Sequence, residues 1–240
     1  LEQAKLSKAA AKRFAGHIVA VTGGAGSIGF AIANAFAAQG ATIALIDRDA
    51  GVVGAAARID RHALGVVADL TSDTGPRDAL GQIVARFGGL DILVSNAGNA
   101  VQGNVATMDE AAIRASFELN FFAHLRLARE SARIFTLQGN GGQMLFNVSK
   151  QAVNPGKGFG AYGLPKAATM FLVRQLALEL GGAGIRVNGV NADRIRSGLL
   201  TEDMVKARSA ARGLSEADYL AGNLLKREVL AEDVAAAFVA

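Results

Sequence analysis

Two side chains one helical turn apart, Tyr162 and Lys166, form the segment of this sequence best suited to chemistry. On a helix, residues four positions apart lie on the same face. A phenol with an ordinary pKa of about 10 is a poor base at neutral pH, and a neighbouring ammonium group favours the phenolate and lowers that pKa. The pair is therefore predicted to pass a proton to or from a substrate oxygen.

Ser149 is the third residue of this predicted site. It follows the apolar run Met144–Val148, which is typical of a buried strand. A strand that ends beside the helix of Tyr162 would bring the serine hydroxyl to the same substrate oxygen, where it can donate a hydrogen bond. The alternative, a Tyr and a Lys on an ordinary amphipathic helix, is disfavoured by the rest of the chain.

A glycine-rich turn near the N-terminus is the second feature with chemical potential. The apolar segment 17–21 predicts a strand, the turn Thr22–Gly29 follows it, and helical periodicity then runs from Phe30 to Gly40. Glycines let a backbone approach a pyrophosphate closely, and the free N–H groups at a helix start favour its negative charge. This order of strand, turn and helix predicts a dinucleotide-binding site.

The choice of dinucleotide is predicted from the end of the next strand, at Asp47. A carboxylate there accepts a hydrogen bond from a ribose 2′-hydroxyl and repels a 2′-phosphate, which favours NAD over NADP. The neighbouring Arg48 acts in the opposite sense. An NADPH-dependent carbonyl reductase therefore stays open as an alternative.

The whole chain alternates apolar strands with helices, as in a parallel sheet covered on both faces. Strands are predicted near 17–21, 41–47, 63–68, 91–95, 143–148 and 185–190, and helices near 27–39, 49–60, 75–87, 107–137 and 161–180, with further helix between 200 and 240. Right-handed crossovers place the strand ends at one edge, where ligands bind. That edge carries Thr22, Asp47, Asp69, Asn96, Ser149 and Asn191.

Together these motifs resemble the short-chain dehydrogenase/reductase family from Phe14 to the C-terminus. Thr22, Gly23 and Gly29 match the family's Thr-Gly-x-x-x-Gly-x-Gly turn, with Gly26 and Ser27 in the reverse of the usual order. The resemblance implies an α/β fold of the Rossmann type, a doubly wound parallel sheet flanked by helices on both faces, in a single domain at 14–240. It also implies a last strand after the final helix, which this sequence lacks.

The resemblance also implies residue roles. Tyr162 is the acid/base, Ser149 positions the substrate oxygen, Lys166 lowers the tyrosine pKa and binds the nicotinamide ribose, and Asn120 anchors a water that joins Lys166 to solvent. Asp69 is the acidic residue that contacts the adenine ring. The implied cofactor-binding residues are Thr22, Gly23, Gly26, Ser27, Ile28, Gly29, Asp47, Arg48, Asp69, Leu70, Asn96, Ala97, Gly98, Tyr162 and Lys166.

Three segments are similar to the dehydrogenase half of bifunctional rhamnulose-phosphate aldolase/lactaldehyde dehydrogenases: 154–160, 188–196 and 223–228. This similarity implies oxidation of lactaldehyde or a related sugar-derived alcohol in rhamnose catabolism, with an aldolase fused before residue 1. Residues 1–13 are then the tail of a linker helix. Ala192 and Asp193 stand where the wider family has Pro-Gly, near the nicotinamide.

Composition favours an enzyme over other classes. The net charge is +4 and no basic stripe alternates with aromatic residues, which argues against nucleic acid. The chain has no cysteine and no membrane-length apolar run, which is compatible with the cytoplasm. The three histidines are scattered, so we expect no catalytic metal. A non-catalytic dinucleotide-binding module would have no need of Asn120, Ser149, Tyr162 and Lys166 together.

Two further expectations concern helices and arginines. The helices at 107–137 and 161–180 are apolar on more than one face, including Phe121, Phe122, Met170 and Phe171. This surplus predicts a homodimer or homotetramer, and the alternative is burial within one domain. Arg194 and Arg196 follow the last predicted strand, where they either bind a carboxylate or phosphate of the substrate or form a solvated loop pair.

Overall fold

A computed structural model describes residues 12–240. The linker helix expected at 1–13 lies outside the described residues except for its last two positions. From Lys12 onward the chain forms one sheet with helices on both of its faces.

Six parallel strands form the sheet in the order β3-β2-β1-β4-β5-β6. This order places a switch point between β1 and β4, where ligands bind in doubly wound folds. Each strand overlaps a predicted one, so the predicted fold class is confirmed. The strands are β1 Ile18–Thr22, β2 Thr42–Asp47, β3 Leu64–Val67, β4 Ile92–Ser95, β5 Gly142–Asn147 and β6 Ile185–Val190.

The strands form because their residues are apolar almost without interruption. Val19, Ala20 and Val21 are fully buried in β1, and Leu45 and Ile46 are fully buried in β2. Side chains alternate between the two faces of a strand, so a continuous apolar run can be buried only if helices cover both faces.

Nine α-helices lie in the described part of the chain and provide that cover. Helices α3, α5 and α6 pack on one face, with Leu80, Leu127 and Leu176 in one core. Helices α1, α2 and α9 pack on the other, with Phe36 and Phe238 in a second core. The helices are α1 Ser27–Ala38, α2 Val52–Ile59, α3 Gly75–Phe87, α4 Glu110–Phe117, α5 Ala123–Gln138, α6 Gly160–Leu180, α7 Glu202–Ala210, α8 Glu216–Leu220 and α9 Ala231–Val239.

The helix predicted at 107–137 is interrupted. A π-helical turn, Glu118–Phe122, separates α4 from α5, and the N–H of Ala123 donates to the carbonyl of Glu118. A π turn inserts one residue into the helical repeat and commonly marks a functional position. The predicted helix is therefore confirmed over 110–138, and the sequence did not indicate the π-helical turn within it.

The segment after β6 crosses the carboxyl edge of the sheet. Helices α7 and α8 enclose a small separate core of Leu200, Val205, Tyr219 and Leu220. Helix α9 returns to pack against α1, and no strand follows it in the described residues. The edge strands of the described sheet are β3 and β6.

The apolar surplus of the long helices is divided between core and surface. Val173 and Leu176 of α6 belong to the core. In contrast, Phe171 is 61% exposed and Leu178 is 80% exposed on the same helix, and Phe122 is 39% exposed next to α5. These helices therefore present an apolar surface to the outside as well as a buried one.

Candidate active site

A chain of hydrogen bonds joins the carboxyl ends of β1, β4 and β5 to helix α6. The hydroxyl of Thr22 accepts from the N–H groups of Asn96 (2.9 Å) and Ala97 (3.0 Å), and the Asn96 amide donates to the Thr22 carbonyl (2.9 Å). The Asn147 amide donates to the Asn96 side-chain oxygen at 2.8 Å. Lys166 completes the chain by donating to the Asn147 carbonyl at 2.9 Å.

Helix α6 carries the predicted proton-transfer pair. It begins at Gly160, so Tyr162 stands in its first turn and Lys166 one turn later. The Lys166 ammonium nitrogen lies 5.9 Å from the centre of the tyrosine ring, close to its face. The two side chains thus share a helix face, as the spacing predicts.

Ser149 is the first residue of the turn that leaves β5. It is buried, and its hydroxyl accepts from the N–H of Gln151 at 3.1 Å, which starts the short 3-10 helix Lys150–Ala152. This contact fixes the serine side chain and leaves the hydroxyl proton for donation to the Tyr162 oxygen, whose place a substrate oxygen can take as acceptor. Ser149, Tyr162 and Lys166 all line the same cleft.

The ionisation of Tyr162 and Lys166 differs from the sequence-based expectation. Burial raises the pKa of Tyr162 above its ordinary value, and a hydrogen bond with Ser149 acts in the opposite direction. Burial also lowers the pKa of Lys166 to about 7. Lys166 donates to the Asn147 carbonyl and is only 2% exposed, so loss of water disfavours the charged form of both groups.

Asn120 lies in the π-helical turn and is fully buried behind the cleft. Its amide nitrogen donates to the carbonyl of Asn99 at 3.0 Å and to the hydroxyl of Ser116 at 3.1 Å. The backbone carbonyl of Asn120 accepts from the hydroxyl of Thr169 on α6 at 2.8 Å. Asn120 therefore joins three elements of the site, although it does not line the cleft.

Gly98 lets the Asn96–Gly98 segment approach these residues. A β-carbon at Gly98 would lie 2.8 Å from the Asn120 side-chain oxygen and 3.6 Å from the Lys166 nitrogen. The first distance is too short for any side chain, so the close packing of β4's end against Lys166 requires glycine.

A second cleft, of about 400 Å³, lies along the glycine-rich turn. Gly29 packs against the carbonyl oxygen of Gly23 so closely that an added β-carbon would lie 2.2 Å from it. Helix α1 follows with Gly26 at its N-cap, no side-chain cap and no acidic residue in its first turn. Such a helix start offers backbone donors and a favourable dipole to a phosphate, which fits a dinucleotide pyrophosphate.

Twelve of the predicted cofactor residues line this cleft: Gly23, Gly26, Ser27, Ile28, Gly29, Asp47, Arg48, Asp69, Leu70, Asn96, Ala97 and Gly98. The other three do not. Thr22 is fully buried and supports Asn96 and Ala97 from behind, while Tyr162 and Lys166 line the substrate cleft.

Asp47 has a structural role in addition to its predicted one. Its two carboxylate oxygens accept from the N–H of Ala25 in the glycine-rich turn and from the N–H of Asp49, each at 3.1 Å. Asp69 is held by Thr71, whose hydroxyl and N–H lower the pKa of that carboxyl. Both acids are thus fixed at the mouth of the cofactor cleft.

The substrate cleft, of about 280 Å³, opens between Tyr162 and the segment after β6. Ala192 and Asp193 line it, and Asp193 pairs with Lys150 at 2.8 Å. Arg194 also lines it, whereas Arg196 does not and pairs with Glu228 at 2.8 Å. The predicted Arg194–Arg196 pair is therefore divided, and Arg196 has a structural ion pair.

Two arginines that the sequence did not single out also line the substrate cleft, Arg208 and Arg212. They belong to the region of α7, where the sequence offers only a helical pattern and no strand end to fix a position. Their spacing of four residues was the available signal, although Arg212 lies two residues beyond the end of α7.

The histidines form no metal site. No group of three or more His, Asp or Glu residues within 12–240 is placed to hold a metal ion. His124 is buried beneath the site, where its ring lies 2.6 Å from the Ser95 hydroxyl. Burial lowers the pKa of His124 well below its usual value, and the nearby charge of Lys166 adds to this. A neutral packed imidazole follows.

Comparison with known proteins agrees with this geometry. The profile of the family described as short chain dehydrogenase matches residues 17–208. The chain therefore belongs to the short-chain dehydrogenase family. Its fold is the one with which proteins of this family bind a nicotinamide dinucleotide.

Three similar proteins illustrate the range of the family. The uncharacterized oxidoreductase YuxG of Bacillus subtilis (strain 168) is 33% identical over 230 residues, which cover 90% of this chain and only 32% of that protein, about a third of its length. The 3-ketoacyl-(acyl-carrier-protein) reductase of Brucella melitensis, complexed with NADH, is 26% identical with a TM-score of 0.85, covering 94% of this chain and 90% of that one. The L-sorbose reductase of Gluconobacter frateurii, complexed with NADPH and L-sorbose, is 29% identical with a TM-score of 0.86, covering 95% and 90%.

Tyr162→Phe keeps the ring and removes the proton-transferring hydroxyl. We expect turnover to fall at least about a hundredfold, the usual size of general acid–base catalysis. Binding of the nicotinamide cofactor, followed by calorimetry, should stay at the wild-type level. Near-normal turnover in this variant would exclude Tyr162 as the acid/base.

The raised pKa of Tyr162 also predicts a pH dependence. Alcohol oxidation needs the phenolate, so kcat/KM should rise with pH from neutral toward the ordinary tyrosine value of about 10. Carbonyl reduction needs the phenol and should follow the opposite trend. Steady-state rates in both directions test this expectation. A plateau of oxidation already at neutral pH would instead mean that the bound cofactor and Lys166 lower the tyrosine pKa.

Proposed function

We propose that this chain is an NAD-dependent oxidoreductase that transfers a hydride between nicotinamide and a small hydroxy or carbonyl substrate. The observation that carries the proposal is the junction of two clefts. Asn96, Gly98 and Asn147 line both of them. A dinucleotide that follows the glycine-rich turn from Asp47 would therefore end beside Tyr162 and Ser149.

The residues have distinct roles in this reaction. When bound, the nicotinamide supplies the hydride acceptor or donor for the substrate carbon. In oxidation, Tyr162 takes the hydroxyl proton as the carbon gives up its hydride and the carbonyl forms. In reduction, Tyr162 returns the proton to the oxygen. Ser149 donates a hydrogen bond to that oxygen in both directions.

Lys166 and Asn120 act behind the tyrosine. In its charged form Lys166, next to the Tyr162 ring, would oppose the effect of burial on the tyrosine pKa, and we propose that it also binds the nicotinamide ribose. Asn120, held by Asn99, Ser116 and Thr169, is proposed to anchor a water that joins Lys166 to solvent.

The preference for NAD over NADP rests on Asp47. Its carboxylate lines the cofactor cleft beside Arg48. A negative charge at this place favours ribose hydroxyls and opposes a 2′-phosphate. The Brucella melitensis relative is complexed with NADH and the Gluconobacter frateurii relative with NADPH. In this chain, we propose that the balance between Asp47 and Arg48 determines which of the two dinucleotides binds more tightly.

For the substrate, we propose lactaldehyde or a related sugar-derived alcohol or aldehyde. The basis is the resemblance inferred from the sequence of segments 154–160, 188–196 and 223–228 to aldolase/dehydrogenase enzymes of rhamnose catabolism. If the aldehyde reacts as its hydrate, the same proton and hydride transfers yield an acid. A cytoplasmic location and fusion to an aldolase belong to the same proposal.

We also propose a homodimer or homotetramer formed through α4–α5 and α6. The support is the exposure of Phe122, Leu164, Phe171 and Leu178, which leaves large apolar side chains in water on neighbouring helices. A soluble monomer rarely exposes such side chains as one patch.

No helix of residues 12–240 has the length and apolar character needed to cross a bilayer.

Asp47→Ser tests the cofactor preference. The shorter serine side chain removes the charge that repels a 2′-phosphate, together with the carboxylate contacts to Ala25 and Asp49. A charged hydrogen bond contributes about 1.5–3 kcal/mol, so NAD should bind about ten- to a hundredfold more weakly than to the wild type. The affinity for NADP should rise relative to the affinity for NAD. Calorimetric titration with both dinucleotides measures this shift.

Asp60→Ser is the matched control, because Asp60 also accepts from the N–H two residues on but lies outside the cofactor cleft. It should leave both affinities as they are. Wild-type protein that already prefers NADP would contradict the NAD proposal and show that Arg48 dominates.

Phe171→Glu tests the oligomer. Because a two-fold interface repeats each contact, one added charge appears twice and the assembly should shift toward monomer. Light scattering on micromolar protein measures the mass. Val53→Glu, on α2 at the opposite face of the sheet and 54% exposed in the wild type, serves as the control. A wild-type chain that is already monomeric would refute the interface.

A further inference from the structure

The substrate cleft carries a large excess of positive charge. Six cationic side chains line it, and Asp193 is the single acidic residue among those lining it. The cations are Lys150, Lys157, Lys166, Arg194, Arg208 and Arg212. A cleft lined by one sign of charge concentrates ligands of the opposite sign.

Internal contacts account for part of this charge. Asp193 pairs with Lys150 at 2.8 Å and lies 3.8 Å from Arg194. The Arg194 guanidinium also donates to the carbonyls of Tyr219 at 2.8 Å and Gly222 at 3.3 Å. These two cations therefore have partners within the protein.

Arg208 and Arg212 have a different environment. Arg208 lies over the ring of Phe159 at 5.1 Å, and Arg212 lies over the ring of Tyr219 at 5.4 Å. Arg212 also donates to the carbonyl of Arg208 at 2.9 Å. Within residues 12–240 no carboxylate lies within ion-pair distance of either guanidinium.

Stacking on an aromatic ring orients a guanidinium and leaves most of its edge donors for a ligand. Phe159 is the residue immediately before α6, and Tyr162 follows three positions later. Arg208 is thus held next to the start of the helix that carries the proposed acid/base. Neither Arg208 nor Arg212 lines the cofactor cleft, so the dinucleotide phosphates along the glycine-rich turn do not account for them.

We infer that the substrate carries an anionic group, a carboxylate or a phosphate monoester, and that Arg208 and Arg212 bind it while the reacting carbon faces Tyr162 and Ser149. Guanidinium groups suit both anions because their parallel N–H donors match two oxygens. This inference rests on the proposed oxidoreductase function. Among the sugar-derived substrates proposed above, it favours an anionic one over lactaldehyde itself, which is neutral.

Matched substrate pairs test the inference. We would measure kcat/KM for 3-hydroxybutyrate against its methyl ester, and for glycerol 3-phosphate against glycerol. An anionic member preferred by about tenfold or more, as a charge-assisted bond allows, is the expected result. The pair with the larger preference distinguishes carboxylate from phosphate. Equal or better turnover of both neutral members would overturn the inference.

Variants locate the effect. Arg208→Gln and Arg212→Gln should each lower the ratio of anionic to neutral kcat/KM, chiefly through the KM of the anionic member, and Arg208→Lys should restore part of it. Arg86→Gln is the matched control, because Arg86 lies over Phe87 at 5.5 Å outside the cleft. An unchanged ratio in the two glutamine variants would assign Arg208 and Arg212 a purely structural role.

A binding measurement separates this inference from the proposed function. Calorimetric titration of the NAD-saturated protein with inorganic phosphate and with acetate should detect binding that the double variant Arg208→Gln/Arg212→Gln loses. If no substrate is turned over but this difference is present, the anion site stands and the oxidoreductase proposal fails. If turnover is normal and the double variant binds both anions as the wild type does, the anion site is refuted.

Discussion

The catalytic edge depends on the hydrogen-bond chain from Thr22 to Lys166. The last backbone groups of parallel strands have no further strand partner, and buried polar groups without partners are costly. Here the Asn96 amide satisfies the Thr22 carbonyl, and Lys166 satisfies the Asn147 carbonyl. The Asn147 amide donates to the Asn96 side-chain oxygen and so joins β5 to the other two strands. This series of hydrogen bonds ends at the ammonium group of Lys166. One set of contacts therefore fixes both the glycine-rich turn and the position of Tyr162 and Lys166.

The same burial that orders this edge sets its electrostatics. Removal of water from Lys166 and Tyr162 disfavours the charged form of each, which moves their pKa values in opposite directions, down for the lysine and up for the tyrosine. Burial therefore disfavours the tyrosinate–ammonium combination in the protein without substrate. The cationic rim formed by Arg208 and Arg212 adds positive potential at the mouth of the cleft, on the side away from the glycine-rich turn.

Much of this arrangement follows from the sequence, for physical reasons. Continuous apolar runs predict the buried strands, and Gly23 and Gly29 predict a turn that only glycine can form. The prediction failed where the outcome depends on tertiary contacts. The pKa of Tyr162 depends on burial that spacing does not reveal. The cleft positions of Arg208 and Arg212 depend on how α7 crosses the sheet edge, and the ion pair of Arg196 depends on Glu228, which is distant in sequence.

The π-helical turn explains the misread periodicity of segment 107–137. One extra residue rotates the helix beyond it by about 100° relative to an unbroken helix. If one unbroken helical period is applied to the whole segment, the apolar residues before and after Glu118–Phe122 therefore fall on different faces. The turn also exchanges a local bond for a distant one, since the Asn120 carbonyl accepts from Thr169 on α6. The change of phase gives one helical segment two differently oriented faces, so that α4 and α5 can each pack on α6 while Asn120 stays bonded to Thr169.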